Sequence, residues 1–346
     1  MRTQLGELGK PTALHESLDV TGSSGDLLRE YLRKMLLIRR TEEEIGNHVP
    51  TGEIVGPAHL GIGQEAVAVG VSQHLRPSDR ALGCHRSHSL YLALTSDPYP
   101  LLAEVLGKEE GCSRGMGGSM HLYAASNGLL GTVPIVSGTI SLAVGAALAA
   151  KKDGNGDVAV AWFGDGATEE GVFHESLNLA AAWDLPVLFV CENNLFSSHM
   201  HIKLRQPTDR VARFAEANCV SAATIDGNDV VKTASVAGEM ISDIRDGNGP
   251  AFLEAVTYRW RGHVGPREDL DVGVERDGTL GEWKKRDPIR RLTDALISAG
   301  ELTPSALDDL DAVITEEVAQ AWQRAMEAGF PPGETLLDSV YAEGSR

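Results

Sequence analysis

The chain has 346 residues, enough for one large α/β domain or two modest ones with a substantial buried core. It carries 31 Lys and Arg against 49 Asp and Glu, a formal net charge of −18, so nucleic acids and anionic membranes should repel it on average. No apolar run approaches the roughly 20 residues of a membrane span, and the N-terminal segment lacks the apolar core of a signal peptide. We therefore expect a cytoplasmic protein without membrane or nucleic-acid partners.

The first part of the chain predicts an arm followed by helices. Residues 1–25 mix Gly, Pro, Ser and charged residues without a period, which predicts an N-terminal arm. From residue 26 onward, apolar residues such as Leu28, Leu32 and Met35 recur at helical spacing. Residues 51–63 are rich in Gly and Pro and predict a loop, and the segment GQEAVAVGVSQHL predicts a second helix.

Two segments of small residues follow. The run GCSRGMGG, residues 111–118, predicts a loop in which glycine lets the backbone approach a ligand or adopt positive φ; a flexible surface loop explains the composition equally well. The run SLAVGAALAAK, residues 141–151, predicts a helix that is buried on several sides. Because small residues allow a second helix to approach closely, this helix is a candidate for a subunit interface.

The second half predicts a parallel sheet. The apolar runs 158–163 and 186–191 suit interior strands, and the segment between them has helical spacing, so together they predict a strand-helix-strand unit. A helix over 230–245 and a strand over 252–258 add a further unit, and 288–328 is helical and charged. We therefore expect residues 26–346 to form a single α/β domain with a mostly parallel sheet.

The sequence Gly164-Asp165-Gly166 follows the first of these strands. The carboxyl end of a parallel strand, followed by a helix with free amides, is a typical phosphate-binding position. The spacing does not match the dinucleotide pattern G-x-G-x-x-G, because Gly171 comes two residues late, and the sequence contains no G-x-x-x-x-G-K-[ST] phosphate loop. The common nucleotide-binding motifs are therefore not supported.

Asp165 would repel a phosphate unless a divalent cation lay between them. Mg2+ fits this position because it binds carboxylate, carbonyl and phosphate oxygens. The next strand is followed by Asn193-Asn194, and adjacent strand ends meet in a strand-helix-strand unit, so an Asn oxygen can complete the shell of the ion. A turn capped by Asp and Asn accounts for these residues equally well.

Together these segments resemble a known family. Gly164-Asp165-Gly166 followed by Asn193-Asn194 resembles the thiamine diphosphate motif, and AHLGIGQEA, HRSH, GCSRGMGGSMHLY and TYRWRGH resemble the alpha subunits of pyruvate, branched-chain 2-oxo acid and acetoin dehydrogenases. The resemblance runs from about residue 28 to about residue 290. It implies the thiamine-diphosphate-binding fold, with helices on both faces of the sheet, and the cofactors thiamine diphosphate and Mg2+.

The resemblance also implies roles for individual residues. Asp165, Asn194 and the carbonyl of Phe196 would bind the metal. The expected cofactor contacts are made by His85, Arg86, Pro134, Val136, Gly164, Gly166, Ala167, Asn194, Arg259 and His263. Within this set, Arg86 and Arg259 would neutralise the diphosphate, and the backbone from Pro134 to Val136 would line the aminopyrimidine ring.

Two histidines are the expected catalytic residues. His59 matches a histidine that faces the reaction centre, where an imidazole can move protons near neutral pH, and His263 matches a histidine on the phosphate side. A lone loop histidine is more often structural. A zinc site is disfavoured for two further histidine pairs, His85 with His88 and His199 with His201. No cysteine or carboxylate completes either pair at ligand spacing.

The expected function is that of an alpha subunit that decarboxylates a 2-oxo acid or cleaves acetoin and transfers the acyl group to a lipoyl carrier. The family takes the glutamate that activates the aminopyrimidine from a separate beta subunit, so the resemblance implies an α2β2 assembly, with a lipoyl acyltransferase as a further possible partner. Two alternatives stay open: a split transketolase-like transferase that moves a two-carbon unit to an aldehyde, and a non-catalytic binding subunit.

The chain departs from the family pattern at two places. Residue 85, usually a tyrosine near the phosphate, is histidine, and the loop after His263 reads VGPREDLDVG in place of a serine-bearing loop. Val264 removes the serine that kinases modify in mitochondrial relatives, so no regulation is expected there. The changed loop borders the entrance for the lipoyl acceptor and puts that acceptor in doubt.

Overall fold

A computed structural model describes residues 2–54, 56–270, 276–338 and 340. The helices are α1 (Gly25–His48), α2 (Glu65–Ser72), α3 (His88–Thr95), α4 (Tyr99–Val105), α5 (Gly138–Asp153), α6 (Gly171–Ala182), α7 (Arg213–Ala217), α8 (Val230–Arg245), α9 (Asp277–Lys284), α10 (Pro288–Ser298) and α11 (Pro304–Glu327). The strands are β1 (Arg80–Gly83), β2 (Leu129–Thr132), β3 (Ala159–Gly164), β4 (Val187–Asn193), β5 (Phe196–Ser197), β6 (Met200–His201), β7 (Ser221–Asp226) and β8 (Ala251–Val256).

Six strands form one parallel sheet in the order β2-β1-β3-β4-β8-β7, while β5 and β6 form a small antiparallel hairpin. The predicted α/β fold with a parallel sheet is confirmed. In the central pair, Ala159 lies opposite Val187 and Gly164 opposite Glu192. This register brings the chain segments that follow β3 and β4 to the same edge of the sheet.

Helices cover both faces of the sheet, as the resemblance implied. Because side chains alternate along a strand, β3 directs Val160 and Trp162 into a core shared with α1, α2 and α8, and Ala161 and Phe163 into a second core shared with α5 and α6. All four side chains are buried. The continuous apolar run of β3 follows from this burial on both sides.

Helix α5 differs from its prediction. One of its faces packs on the sheet through Ile140 and Val144, but Leu142 is 58% exposed and Gly145 is also exposed. The helix is therefore buried on one side only within this chain. The apolar composition of its other side is not explained by contacts among the described residues.

The segment before α1 lies along the surface of its own chain. Leu5 and Leu18 are buried in the two cores, and Asp209 accepts hydrogen bonds from Thr3 Oγ1 at 2.7 Å and from the backbone nitrogen of Gln4 at 2.6 Å. The division into an arm of residues 1–25 and a domain of residues 26–346 stays a prediction. No helix in the described part of the chain is both long and apolar enough to cross a membrane.

Candidate functional site

A single cavity lies at the carboxyl edge of the sheet, where β1, β3, β4 and β8 end. Parallel topology explains this location, since it brings the segments that follow these strands together. All the residues that the sequence nominated for the site line this cavity: His59, His85, Arg86, Pro134, Val136, Gly164, Asp165, Gly166, Ala167, Asn194, Phe196, Arg259 and His263.

Asp165 is the acidic group of the cavity. It is 1% exposed, and burial raises the pKa of its carboxyl, while the neighbouring Arg205 guanidinium opposes that rise. Oδ2 is ion-paired with Arg205, whereas Oδ1 is buried without a hydrogen-bond partner among the described residues. A buried carboxylate oxygen without a partner is costly unless a cation or donor reaches it. Asp165 therefore fits the role of a ligand to a hard cation.

Asn194 faces the same region from the end of β4. Its Nδ2 donates to Gln64 Oε1 at 3.1 Å, which directs the amide oxygen towards the backbone nitrogen of Phe196 at 3.2 Å. A carbonyl oxygen has two lone pairs, so this amide oxygen retains the capacity to bind an ion. The donor set of carboxylate, amide and backbone oxygens suits Mg2+.

Two buried arginines bring positive charge to the wall of the cavity. Arg86 donates to the carbonyls of Leu60 and, at 3.1 Å, His263. Arg259 donates to the carbonyls of Arg261 and Ser198. Burial lowers the pKa of Arg259 to about 9, and Arg86 contributes to the same shift. Asp269 Oδ2 lies 3.7 Å from Arg259 Nη1 and offsets part of its charge, whereas the carbonyl partners of Arg86 leave its charge uncompensated. This wall therefore fits an anionic group such as a diphosphate.

Three histidine rings lie beside these arginines. The ring centroids of His59 and His85 are 4.6 Å apart, those of His59 and His263 are 5.1 Å apart, and those of His85 and His263 are 5.5 Å apart. Burial, reinforced by Arg86, lowers the pKa of His59 to about 2, of His85 to about 3 and of His263 to about 4. All three imidazoles are therefore neutral at neutral pH, and each offers one ring N–H donor and one acceptor nitrogen.

Close backbone approach shapes the remaining walls. A Cβ atom added to Gly166 would lie 2.5 Å from Ser197 Oγ, so this glycine cannot be replaced without a shift. Ser137 adopts a left-handed backbone (φ 62°) and donates from Oγ to the carbonyl of Ala167 at 2.8 Å. Pro134 and Val136 line the cavity next to this turn, and Val136 is 50% exposed. This part of the wall is open to solvent.

One carboxylate of the cavity was not predicted from the sequence. Glu192 is buried next to Asn193, and burial raises the pKa of its carboxyl to about 8. Its Oε1 has no hydrogen-bond partner in the described part of the chain. The sequence signal that could have identified Glu192 is a glutamate near the end of an otherwise apolar strand. Further lining residues that were not nominated are Cys84, Met120, Thr139, Phe163, Ser197 and Ser198.

The other histidines considered for zinc have different surroundings. His88 is fully buried, lies 3.3 Å from Glu42 Oε1 through Nδ1, and contacts Ser119 Oγ at 2.8 Å through Nε2. His199 Nε2 lies 3.2 Å from Asp269 Oδ2. His88 thus connects α1 to the glycine-rich loop and does not line the cavity.

Comparison with known proteins identifies the family. The profile of the family described as "Dehydrogenase E1 component" matches residues 33–334. The chain is 36% identical over 309 residues to the alpha subunit of acetoin:2,6-dichlorophenolindophenol oxidoreductase from Bacillus subtilis (strain 168), covering 89% of this chain and 92% of that protein. It is 33% identical over 343 residues to the pyruvate dehydrogenase E1 component subunit alpha of Zymomonas mobilis, covering 98% and 96%.

A third relative, the pyruvate dehydrogenase E1 component subunit alpha of Rhizobium meliloti, is 35% identical over 318 residues, covering 92% of this chain and 90% of that protein. These relatives are similar over nearly their whole length, and the matched segment includes every nominated site residue. The resemblance drawn from the sequence is thereby confirmed, and the chain belongs to the dehydrogenase E1 component family, among its alpha subunits.

Proposed function

We propose that this chain is the alpha subunit of a thiamine-diphosphate-dependent dehydrogenase that decarboxylates a 2-oxo acid or cleaves acetoin and transfers the acyl group to a lipoyl carrier. The observation that carries the proposal is the cavity itself, which is lined by an aspartate with an unpaired buried carboxylate oxygen, by two buried arginines and by three neutral histidines. An acidic and a basic wall in one cleft suit a diphosphate bridged to a cation. A cytoplasmic location stays a prediction from the composition.

The metal and diphosphate ends of the cofactor have separate sets of ligands in this proposal. Asp165, Asn194 and the carbonyl of Phe196 hold Mg2+. The diphosphate and ring contacts are assigned to His85, Arg86, Pro134, Val136, Gly164, Gly166, Ala167, Arg259 and His263. The unpaired Oδ1 of Asp165 supports the metal assignment, and the carbonyl-bound guanidinium of Arg86 supports the phosphate assignment.

His59 and His263 are the proposed catalytic residues. Thiamine diphosphate, when bound, supplies a carbon nucleophile and an electron sink for decarboxylation. His59 is buried at the cavity, and its imidazole, neutral at neutral pH, can donate or accept a hydrogen bond at a reacting group and so orient it. His263 is held through its backbone, because its nitrogen donates to Asp269 Oδ2 at 2.6 Å and its carbonyl accepts from Arg86. This fixes where its ring can act.

A beta subunit is the proposed partner that completes the site. Ile135 is 69% exposed and Val136 is half exposed at the open wall, and Leu142 of α5 is exposed as well. Exposed large apolar residues beside a cavity are typical of a surface that another chain covers. We assign to that chain the glutamate that activates the aminopyrimidine, in an α2β2 assembly, so the alpha chain alone should be inactive.

The names of the relatives favour dehydrogenase activity over a transferase that uses an aldehyde, and over a non-catalytic subunit. Among those relatives, one is an acetoin oxidoreductase subunit and two are pyruvate dehydrogenase subunits. We therefore restrict the substrate to pyruvate, another 2-oxo acid or acetoin. A lipoyl acyltransferase is the proposed acceptor partner.

The test uses the chain co-expressed with its beta subunit. Pyruvate, branched-chain 2-oxo acids and acetoin are each supplied with thiamine diphosphate, Mg2+ and the dye 2,6-dichlorophenolindophenol as electron acceptor. We expect one class to reduce the dye, and His59→Gln to lose that rate while the exposed His121→Gln retains it. Transfer to glycolaldehyde without dye reduction would favour the transketolase-like alternative. No turnover with any substrate, in a complex that binds the cofactor, would reject the catalytic proposal.

A further inference from the structure

Glu42 is a fully buried carboxylate of α1 that does not line the cavity. Both of its oxygens accept from the backbone nitrogen of Gly61, Oε1 at 2.8 Å and Oε2 at 2.9 Å. Gly46 lies one turn further along α1, where a Cβ atom would lie 3.1 Å from Leu60 Cδ1, so glycine lets the loop approach the helix. One face of α1 therefore holds the middle of the loop formed by residues 58–64.

The peptide group between Leu60 and Gly61 is bound on both sides. Its N–H donates to Glu42, and its carbonyl, that of Leu60, accepts from Arg86 Nη1. Arg86 also donates from Nη2 to the carbonyl of His263 at 3.1 Å. Because a peptide group is planar, a rotation that moved the N–H away from Glu42 would also turn the carbonyl away from Arg86. Glu42 therefore fixes a partner of the guanidinium that we assign to the diphosphate.

His59 directly precedes Leu60 in this loop. Its side chain is buried, and its Nδ1 has no hydrogen-bond partner in the described part of the chain, so the position of the ring depends on the backbone that carries it. The same loop ends at Gln64, whose Oε1 accepts from Asn194 Nδ2 at 3.1 Å. The loop thus connects a proposed catalytic residue with a proposed metal ligand.

His88 is the second neighbour of the Glu42 carboxylate. Its side chain is fully buried, and its Nδ1 lies 3.3 Å from Glu42 Oε1, within ion-pair distance but without the alignment of a hydrogen bond. Its Nε2 contacts Ser119 Oγ at 2.8 Å. His88 is thereby held from the opposite end of its ring, and it limits where the carboxylate of Glu42 can lie.

We infer that Glu42 is a positioning residue for His59 and Arg86, acting through the Leu60–Gly61 peptide group. The inference rests on the proposed function, because it takes His59 as catalytic and Arg86 as a diphosphate ligand. The hydrogen bond to Gly61 is the feature that positions the loop, so an amide oxygen at the same place should replace the carboxylate oxygen.

The experiment compares Glu42→Leu with Glu42→Gln in the complex with the beta subunit. Leucine has a similar volume but no acceptor for Gly61, whereas glutamine keeps one acceptor oxygen and can offer its NH2 group to His88 Nδ1. At saturating thiamine diphosphate and Mg2+, kcat per bound cofactor should fall about 10- to 100-fold in Glu42→Leu while KM changes little, because a small displacement of a catalytic group has an effect of this size. Glu42→Gln should stay within about threefold of wild type.

Two further measurements do not depend on turnover. Calorimetry should show that thiamine diphosphate binds about tenfold more weakly to Glu42→Leu, through the loss of the Arg86 contact, and nearly normally to Glu42→Gln. Hydrogen–deuterium exchange of residues 58–64, measured without cofactor, should become faster in Glu42→Leu and stay slow in Glu42→Gln.

The control is Asp79→Asn. Asp79 is also a buried carboxylate that accepts from a backbone nitrogen, that of Val158 at 2.8 Å, but it lies at the amino ends of β1 and β3, away from the cavity. Asp79→Asn should lower the melting temperature and leave kcat and cofactor affinity unchanged.

Three results would overturn the inference. Wild-type kcat and exchange in Glu42→Leu would show that the peptide group is held without Glu42. An equal loss in Glu42→Gln would show that the hydrogen bond to Gly61 is not the cause. A fall in kcat and cofactor affinity in Asp79→Asn as large as in Glu42→Leu would show that loss of stability alone produces the effect. Failure of the proposed function looks different, because the wild-type complex itself would then not bind cofactor, and the inference would be rejected with it.

Discussion

The carboxylate of Glu104 accepts a hydrogen bond from the backbone nitrogen of Gly117 at 2.7 Å, inside the glycine-rich loop. The same carboxylate also accepts from the backbone nitrogens of Ser113 at 2.7 Å, Gly115 at 3.0 Å and Gly118 at 3.0 Å. Glu104 is fully buried in α4. One side chain therefore organises a loop that its composition alone would leave flexible.

Replacing Glu104 with Gln should destabilise this loop. An amide presents an NH2 group to backbone donors and cannot serve all four of them, so buried nitrogens lose their acceptor at about 1–3 kcal/mol each. We expect a marked fall in melting temperature and faster tryptic cleavage after the exposed Arg114. Glu109→Gln, at an exposed position nearby, is the matched control. Cleavage at the wild-type rate would show that the carboxylate does not hold the loop.

Removing Arg205 should strengthen magnesium binding. Its guanidinium is ion-paired with both Asp165 and Glu169, so its positive charge competes with a cation that binds Asp165. In Arg205→Met that competition disappears, and we expect Mg2+ to bind about tenfold more tightly, or about 1.4 kcal/mol. Calorimetry of Mg2+ binding measures the effect, with Arg210→Met, which breaks a surface pair with Glu216, as the control. Weaker binding in Arg205→Met would mean that the arginine supports the metal.

Arg276 should affect cofactor binding without contacting the cavity. Its buried guanidinium donates to the carbonyls of Arg259 and, at 3.1 Å, Arg261 and Glu268, which clamps the segment that carries His263. Lysine lacks the planar fork that reaches several carbonyls. We expect Arg276→Lys to weaken thiamine diphosphate binding about 10- to 100-fold, as loss of an outer-shell partner does at metal sites.

The control for Arg276 is Arg290→Lys, since Arg290 also donates to backbone carbonyls but lies on the surface. Equilibrium binding to the complex with its beta subunit provides the measurement. Unchanged affinity in Arg276→Lys, with an unchanged melting temperature, would show that the clamp is not needed for the site.

His85 should make stability depend on pH in the acid range. Burial, and then Arg86, lowers its pKa from 6.5 to about 3 in the folded chain, so unfolding below pH 6.5 takes up a proton. Stability therefore falls as the pH drops from 6.5 towards 3, by at most about 1.4 kcal/mol per pH unit for this one group. His85→Gln does not lose stability through this group. Its free energy of unfolding, relative to that of the wild type, should therefore rise as the pH falls from 7 to 5.

Thermal unfolding at a series of pH values tests this, because comparison with wild type removes the contributions of the other buried groups. One of these, Glu192, has a raised pKa and acts in the opposite direction. His121→Gln is the control for an exposed histidine. A difference between His85→Gln and wild type that stays constant from pH 7 to pH 5 would contradict the prediction.

The sequence predicted the sheet and the position of the site well, because both depend on local pattern. Continuous apolar runs identified β3 and β4, and parallel topology then brought Gly164, Asp165 and Asn194 to one edge. The third predicted strand, 252–258, began one residue late and ended two residues too far along the chain, since β8 spans Ala251–Val256. The predicted C-terminal helical stretch is divided between residues 298 and 304 into α10 and α11.

Contacts between distant segments could not be predicted. Arg205 reaches Asp165 across 40 residues from an irregular segment, and no periodicity signals such a pair. The convergence of His59, His85 and His263 also depends on tertiary structure, because the three residues come from segments far apart in the chain. The last three residues of the loop VGPREDLDVG, 271–273, lie outside the described residues.

The proposed function depends on this cavity binding thiamine diphosphate through a magnesium ion on Asp165. The most direct measurement is calorimetric titration of thiamine diphosphate with Mg2+ into the chain in complex with its beta subunit, together with Asp165→Ala and the surface control Asp309→Ala. We expect saturable binding at one cofactor per alpha chain, lost in Asp165→Ala and retained in Asp309→Ala. Absence of binding in the wild-type complex, or undiminished binding in Asp165→Ala, would contradict it.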